Sequence, residues 1–265
     1  MCSNNEMLDR EKIKKALDRD IEIYLYSLID STNTEAKRLA EGGTSGRALI
    51  LAEEQSGGRG RMGRSFYSPR GVGLYMTLLF PSPNETDATL RITSIAAVAL
   101  KRSIYRVYGI ETKIKWVNDI YLDGSKAAGI LAESFMGEKE GKSFKAVAVG
   151  IGVNISTESF PDELRKIAVS LGKLGGRSEL AAEITNEFFT LLDKAGERDF
   201  SYMNEYRESS LCLGREIRFT ENGYTETGVV ESIDDMGFLH VALGNGKSKI
   251  LSSGEISVRF ENKGK

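Results

Sequence analysis

Histidine is nearly absent from this sequence, at one in 265 residues, and cysteine is hardly commoner, at two. His240 lies in the alternating run Phe238-Leu239-His240-Val241 and reads as a strand residue without a special role. A Ser-His-Asp triad, a histidine-rich zinc site and a histidine phosphoryl carrier are thereby set aside. Cys2 and Cys212 stand far apart and in no CxxC spacing, which argues for a reducing compartment over a disulfide scaffold. No apolar run approaches the ~18 residues of a membrane span, and MCSNNEMLDREK has no signal-peptide core. A cytoplasmic protein with no membrane partner is expected. Nor is there an excess of charge: 36 basic against 38 acidic residues leave −2, no global field for nucleic acid. The chemistry must rest on lysine, arginine and carboxylates.

Against these absences, residues 57–64 (GGRGRMGR) gather four glycines and three arginines, with Gln55 ahead and Phe66 and Tyr67 behind. Glycine lets backbone N–H groups approach a ligand closely, and arginine supplies a permanent charge in a planar fork that fits carboxylate or phosphate. Such a loop is costly to order and poor at packing, so it reads as a mobile lid that an anion organises.

The length fits one large domain or a medium domain with a small one. Periodicity predicts a short helix over 6–18, a strand over 21–28, a helix from Asp30 or Ser31 to about Ala40, and strands over 48–52 and 74–80, the last stopped by Pro81 and Pro83. The longest helix runs over 88–108. Three strands follow over 114–122, 127–134 and 145–153, then helices over 161–171, 178–195 and 199–209. After Gly214 short alternating segments (EIRFT, ETGVVESI, GFLHVAL, SKILSSG, EISVRF) suggest a small β-barrel. The boundary is placed so that residues 1–210 form a catalytic domain and 211–265 the barrel. Two decoys fall away. Residues 137–143 (GEKEGKS) are one residue short of a Walker A loop and loaded with carboxylates, and 150–152 (GIG) lacks the third glycine of a dinucleotide fingerprint.

A second run, Lys115-Trp116-Val117-Asn118-Asp119, leads to Lys126-Ala127-Ala128-Gly129-Ile130-Leu131. Lys115 between Ile114 and Trp116 should be half-buried, so its charge needs a partner, and a bound anion is one candidate. Gly150-Ile151-Gly152-Val153-Asn154 ends a strand in glycine and an amide. Asp30-Ser31-Thr32-Asn33 sets short polar groups at a helix start, where free N–H groups point outward.

Ser31-Thr32-Asn33, Gln55 with GGRGRMGR, Lys115-Trp116-x-Asn118-Asp119, Lys126-x-x-Gly129-Ile130-Leu131 and GIGVN at 150–154 together resemble the biotin protein ligases, in order, over about residues 22–260. The run 254–259 (GEISVR) fits that family's C-terminal barrel. The resemblance implies an α+β fold, a mixed or antiparallel sheet flanked by helices with a small SH3-like β-barrel. It implies ATP and biotin as substrates with Mg²⁺, biotinyl-5′-AMP as intermediate, and a lysine of a biotin carboxyl carrier protein as acceptor. Lys126 would touch the biotin carboxylate and acyl phosphate. Arg59, Gly60 and Arg61 would fold over the ligand; Arg64 and Lys115 would serve the phosphates; Asp119 would hold Mg²⁺ or orient the incoming amine. The catalytic set is thus Lys126, Lys115, Asp119 and Arg61. Ser31, Thr32 and Gln55 would bind the ureido ring, with Asn33, Gly58, Gly129, Leu131, Gly150, Ile151 and Gly152 completing the biotin site. Asn118, Asn154 and Phe66 would lie at the nucleotide.

Two departures are visible: Val117 stands where the family usually has proline, and Phe66 where it often has tryptophan. Only about thirty residues precede Ser31, so a DNA-binding repressor module is not expected. An exposed sheet edge could pair with a carrier or with a second copy as a homodimer. Competing readings are a lipoate ligase or octanoyltransferase, disfavoured by the arginine loop and the barrel, and a nucleic-acid-binding module, disfavoured by the near-neutral charge.

Overall fold

Two β-sheets, of seven and five strands, organise the chain. The structure, a computed structural model, describes residues 6–82, 88–221 and 223–258. Cys2, Pro83 and Arg259 lie outside the described residues. The large sheet contains β1 (Glu22–Tyr26), β2 (Ala48–Ala52), β3 (Gly73–Pro81), β4 (Lys113–Lys115), β5 (Asp119–Leu122), β6 (Ser125–Lys139) and β7 (Lys142–Asn154), in the order β1-β2-β3-β7-β6-β5-β4. β1 runs parallel to β2 and every other pair is antiparallel, so the sheet is mixed.

Alternation along the strands divides the two faces. Ala48, Ile50, Leu79, Ala146 and Ala148 point to one side, where Ala36 and Ala40 of helix α2 (Thr32–Glu41) pack on them. Leu49, Leu51, Leu78, Phe80, Val147 and Val149 point to the other. There they join the core formed by helices α1 (Arg10–Ala16), α3 (Ala88–Tyr108) and α4 (Arg177–Gly196). α1 starts where Asp9 accepts from the backbone N–H groups of Glu11 and Lys12, and α3 stops at Gly109 in the left-handed region.

The expected strand over 114–122 is two strands, because the chain turns at residues 116–118. Asn118 fixes that turn: its amide donates to the Ile130 carbonyl at 2.7 Å, and its own carbonyl accepts from Ile130 N–H at 2.9 Å. Residues 161–171 do not form the expected helix. Their backbone is claimed by the sheet ends, with Lys126 N–H donating to Ile167 O, Val169 N–H to Lys126 O and Leu171 N–H to Asn154 O, each at 2.9 Å. Three cross-chain bonds outweigh a weak helical pattern. The last helix, α5, is Tyr202–Glu208.

The small sheet holds β8 (Glu216–Glu221), β9 (Tyr224–Ile233), β10 (Leu239–Leu243), β11 (Ser248–Leu251) and β12 (Ile256–Val258), all antiparallel in the order β11-β10-β9-β8-β12. Among the described residues β11 and β12 are not bonded to each other, so the expected barrel is an open sheet. It is joined to the large one: Trp116 donates from its indole nitrogen to the Gly237 carbonyl at 2.8 Å, and Ile217, Val230 and Leu239 belong to the same apolar core as α3 and α4.

Candidate active site

The face covered by α2 also holds the candidate site. Here β6 and β7 pair Leu131 with Gly150 and Gly129 with Gly152, so this patch of sheet is almost bare of side chains. The space is taken by neighbours. A Cβ on Gly150 would stand 2.1 Å from Asn33 Oδ1, and one on Gly152 would stand 2.5 Å from the Phe66 ring. Glycine is required at both by close approach. A narrow cavity of about 50 Å³ results, lined by Ser31, Thr32, Asn33, Gln55, Arg59, Gly60, Arg61, Phe66, Asn118, Lys126, Gly129, Leu131, Gly150, Ile151 and Gly152. Met76 and Ile130 complete the wall and carry no polar signal that the sequence could have given. Gly58, Arg64, Lys115, Asp119 and Asn154 are not among the lining residues.

One end of the cavity is a polar cluster of buried groups. Gln55 Oε1 accepts from the Thr32 N–H at 2.8 Å and lies 3.1 Å from the Thr32 hydroxyl, while its amide donates to Ser68 Oγ at 2.9 Å. Thr77 Oγ1 lies 2.8 Å from Thr32 Oγ1 and 2.7 Å from Asn33 Oδ1. Ser31 caps α2 without a side-chain bond to its first turn, which leaves its hydroxyl available to a ligand.

The other end carries cations. Lys126 Nζ stands 2.6 Å from Asp119 Oδ1, an ion pair whose approach is not aligned as a hydrogen bond. Arg59 grips Glu133 with both terminal nitrogens, at 3.0 and 2.9 Å. Arg61 donates to Asn118 Oδ1 at 3.0 Å and to the Gly254 carbonyl at 2.9 Å. Among the described residues it is the cavity arginine whose hydrogen-bond partners are all neutral, so its charge is the least compensated. Outside the cavity, Arg64 pairs with Glu255 at 2.6 Å, and Lys115 donates to the Tyr121 hydroxyl at 3.2 Å and lies over that ring. Asn154 donates to Val169 O at 3.3 Å. Just beneath the Trp116–Asn118 turn, burial pushes the Tyr206 phenol well above its usual range, and its hydroxyl donates to Val117 O.

The arginine loop is a small hairpin. Phe66 N–H donates to Gly58 O at 2.9 Å and Gly60 N–H to Arg64 O at 2.7 Å, with Arg59 opposite Ser65 and a turn at Arg61–Gly63. Met62 at its tip is exposed and left-handed, at φ 55°. The expected lid therefore has its own pairing, and each arginine already has a protein partner.

Comparison with known proteins agrees with this layout. Residues 25–154 match the Biotin/lipoate A/B protein ligase family, and residues 212–259 the Biotin protein ligase C terminal domain. The bifunctional ligase/repressor BirA of Bacillus subtilis is 32% identical over 238 residues, covering 86% of this chain and 71% of that protein. The biotin–[acetyl-CoA-carboxylase] ligase of Paracoccus denitrificans is 34% identical over 238 residues, covering 86% and 96%. The biotin protein ligase of Aquifex aeolicus, solved in complex with biotin and ATP, superposes with a TM-score of 0.76 at 26% identity, covering 90% of this chain and 98% of that one. With one cavity joining a polar end to a cationic end, and both regions matched in order, the chain belongs to the biotin protein ligases.

Proposed function

We propose that the protein activates biotin with ATP and transfers it to a lysine of a biotin carboxyl carrier protein. The observation that carries this reading is the single cavity in which Thr32 and Gln55 meet Lys126, Arg59 and Arg61. A polar bicyclic head and an anionic tail call for those two ends together.

In the first step a carboxylate oxygen of biotin bonds to the α-phosphorus of ATP. The bridging bond to the β-phosphate breaks and pyrophosphate leaves. Two anions must meet, so fixed cations and N–H dipoles offset the repulsion and the charge that builds up in the transition state. Lys126 and Arg61 are assigned to the carboxylate and the acyl phosphate. In the second step the acceptor amine bonds to the acyl carbon, AMP leaves, and the amine gives up a proton. Asp119, beside Lys126, is assigned either to hold Mg²⁺ or to orient that amine. Arg64 and Lys115 are assigned to the phosphates, which requires each to exchange its present partner for substrate. Asn118, Asn154 and Phe66 are assigned to the nucleotide.

No group of three or more metal-ligating side chains occurs among the described residues. Where Mg²⁺ binds, Asp119 would be the carboxylate that holds it, with substrate phosphates and water as the other ligands. The ion would supply charge neutralisation on the phosphates.

A cavity of about 50 Å³ is far smaller than the roughly 300 Å³ at the low end of small-molecule sites. We assign admission of ligand to a lifting and reclosing of the hairpin, which would also keep water from the mixed anhydride. We further divide the chain at residue 211 into catalytic and C-terminal domains and place the reaction in the cytoplasm. The near-neutral charge supports an activity that does not depend on DNA, and the β1 edge of the large sheet is where a homodimer or a carrier would pair, since the β4 edge is already bonded at Ile114 by residues 209–211. Biotin-dependent exchange of labelled pyrophosphate into ATP tests the proposal; exchange with lipoate or octanoate in its place would refute it.

A further inference from the structure

Glu133 has no part in the roles assigned so far, yet it joins the two halves of the site. It lies on β6 two residues beyond Leu131 and four beyond Gly129, so the strand alternation turns it to the same face. It is half-buried and is not among the cavity-lining residues.

Both of its oxygens are used. Oε1 accepts from Arg59 Nη2 at 2.9 Å; Oε2 accepts from Arg59 Nη1 at 3.0 Å and from Asn33 Nδ2 at 2.9 Å. Asn33 cannot turn its amide away. Its Oδ1 is held within 2.7 Å of the Thr77 hydroxyl, its nitrogen also donates to Leu131 O at 3.2 Å, and the missing Cβ of Gly150 is what lets it sit so close to the sheet. A chain of contacts thus runs from the sheet floor at Thr77 through Asn33 to Glu133, and by a two-bond fork to the hairpin at Arg59. The fork is the geometry that fixes an arginine in orientation as well as position. Arg59, opposite Ser65 in the hairpin, carries that orientation to the whole rung.

We propose that Glu133 is a positioning residue: by gripping Arg59 while it anchors Asn33, it sets the ring end of the cavity and the near side of the arginine hairpin as one assembly. This rests on the ligase reading for its consequence, since the hairpin is then the lid over biotin. The far side of the hairpin, with Arg61 and Arg64, is held separately by Asn118, Gly254 and Glu255. Loss of the Glu133 grip frees one side only.

The test compares wild type, Glu133→Gln, Arg59→Ala and the double variant. Glu133→Gln keeps the size and an acceptor for Asn33 but removes the charge that holds the fork. In the ligand-free protein, amide exchange at residues 58–60 should rise about tenfold in either single variant, the scale of one lost charge-assisted contact, and no further in the double. In pyrophosphate exchange, Glu133→Gln should raise the KM for biotin by a similar factor with the KM for ATP unchanged, and should add nothing in the Arg59→Ala background. Equal effects of Glu133→Gln in both backgrounds, or unchanged exchange at 58–60 in both single variants, would overturn the proposal. Should Glu133→Gln not fold, Arg59→Ala alone decides, since unchanged exchange there removes the clamp. A wild type inactive with biotin would refute the ligase reading, while the ligand-free exchange would still decide the clamp.

Discussion

At the scale of single residues, the site depends on what is missing as much as on what is charged. Gly150 and Gly152 leave the sheet bare, and Asn33 and Phe66 fill the room up to contact. Gly150→Ala should therefore displace Asn33 and cost about 1–3 kcal/mol of stability, the usual range for overpacking. It should also weaken biotin binding, because Asn33 is anchored between the floor and Glu133. Urea unfolding and biotin titration check both; a variant with unchanged stability and affinity would show that the backbone yields freely there. Most lining residues were legible in the sequence because arginines beside glycines, and polar groups at a helix start, are types that packing alone does not favour. Glu133 was not, since a carboxylate in Ala132-Glu133-Ser134 looks like an ordinary half-exposed strand position. Its spacing from Gly129 and Leu131 was the available signal. Lys115 was read as needing a partner, a bound anion being one candidate, and its partner in the structure is the Tyr121 hydroxyl and ring.

At the scale of elements, the hairpin at 58–66 matters most. The sequence reads as a loop too costly to order, but three backbone bonds and three arginine anchors give it a defined form. Arg61 alone joins the hairpin to both Asn118 and the small sheet. Arg61→Gly should loosen closure, so that the adenylate escapes and labels bystander lysines while carrier labelling falls. Untargeted labelling no higher than wild type would contradict the lid role. α2, α3, β2 and β3 follow the sequence pattern closely because each has a clean period and a clear stop. The segment 161–171 does not, because pairing with Lys126 and Asn154 is non-local and leaves no periodic trace. The same holds for the turn at 116–118, which is fixed by the reach of Asn118 to β6.

At the scale of the whole molecule, the small sheet is wired to the rest of the chain. Trp116 reaches Gly237, Arg207 donates to Ile233 O and pairs with Asp235, and Arg61 and Arg64 reach Gly254 and Glu255. Cys212 sits fully buried between α5 and β8, within the shared core, and burial pushes its thiol above the ordinary range. Its native form is protonated, so stability should fall as pH rises past the usual thiol pKa, where the unfolded chain ionises first. Labelling of Cys212 by a thiol reagent, read in a Cys2→Ser background, should proceed at the global unfolding rate if the core is continuous. Labelling well ahead of loss of secondary structure would instead mean that the small sheet detaches by itself. Apolar periodicity announced both sheets, but their joining rests on single side chains that reach far along the chain, which no local pattern encodes.

The central claim is that one cavity activates biotin by adenylation through Lys126 and its neighbours. Pyrophosphate exchange into ATP, measured with Mg²⁺ and with biotin, lipoate and octanoate in parallel, tests it most directly when wild type and Lys126→Ala are compared. Wild type should exchange with biotin alone, and Lys126→Ala, folded by circular dichroism, should lose at least about a hundredfold, the scale of one lost transition-state contact. Exchange undiminished in Lys126→Ala, or driven by lipoate or octanoate instead of biotin, would contradict the account.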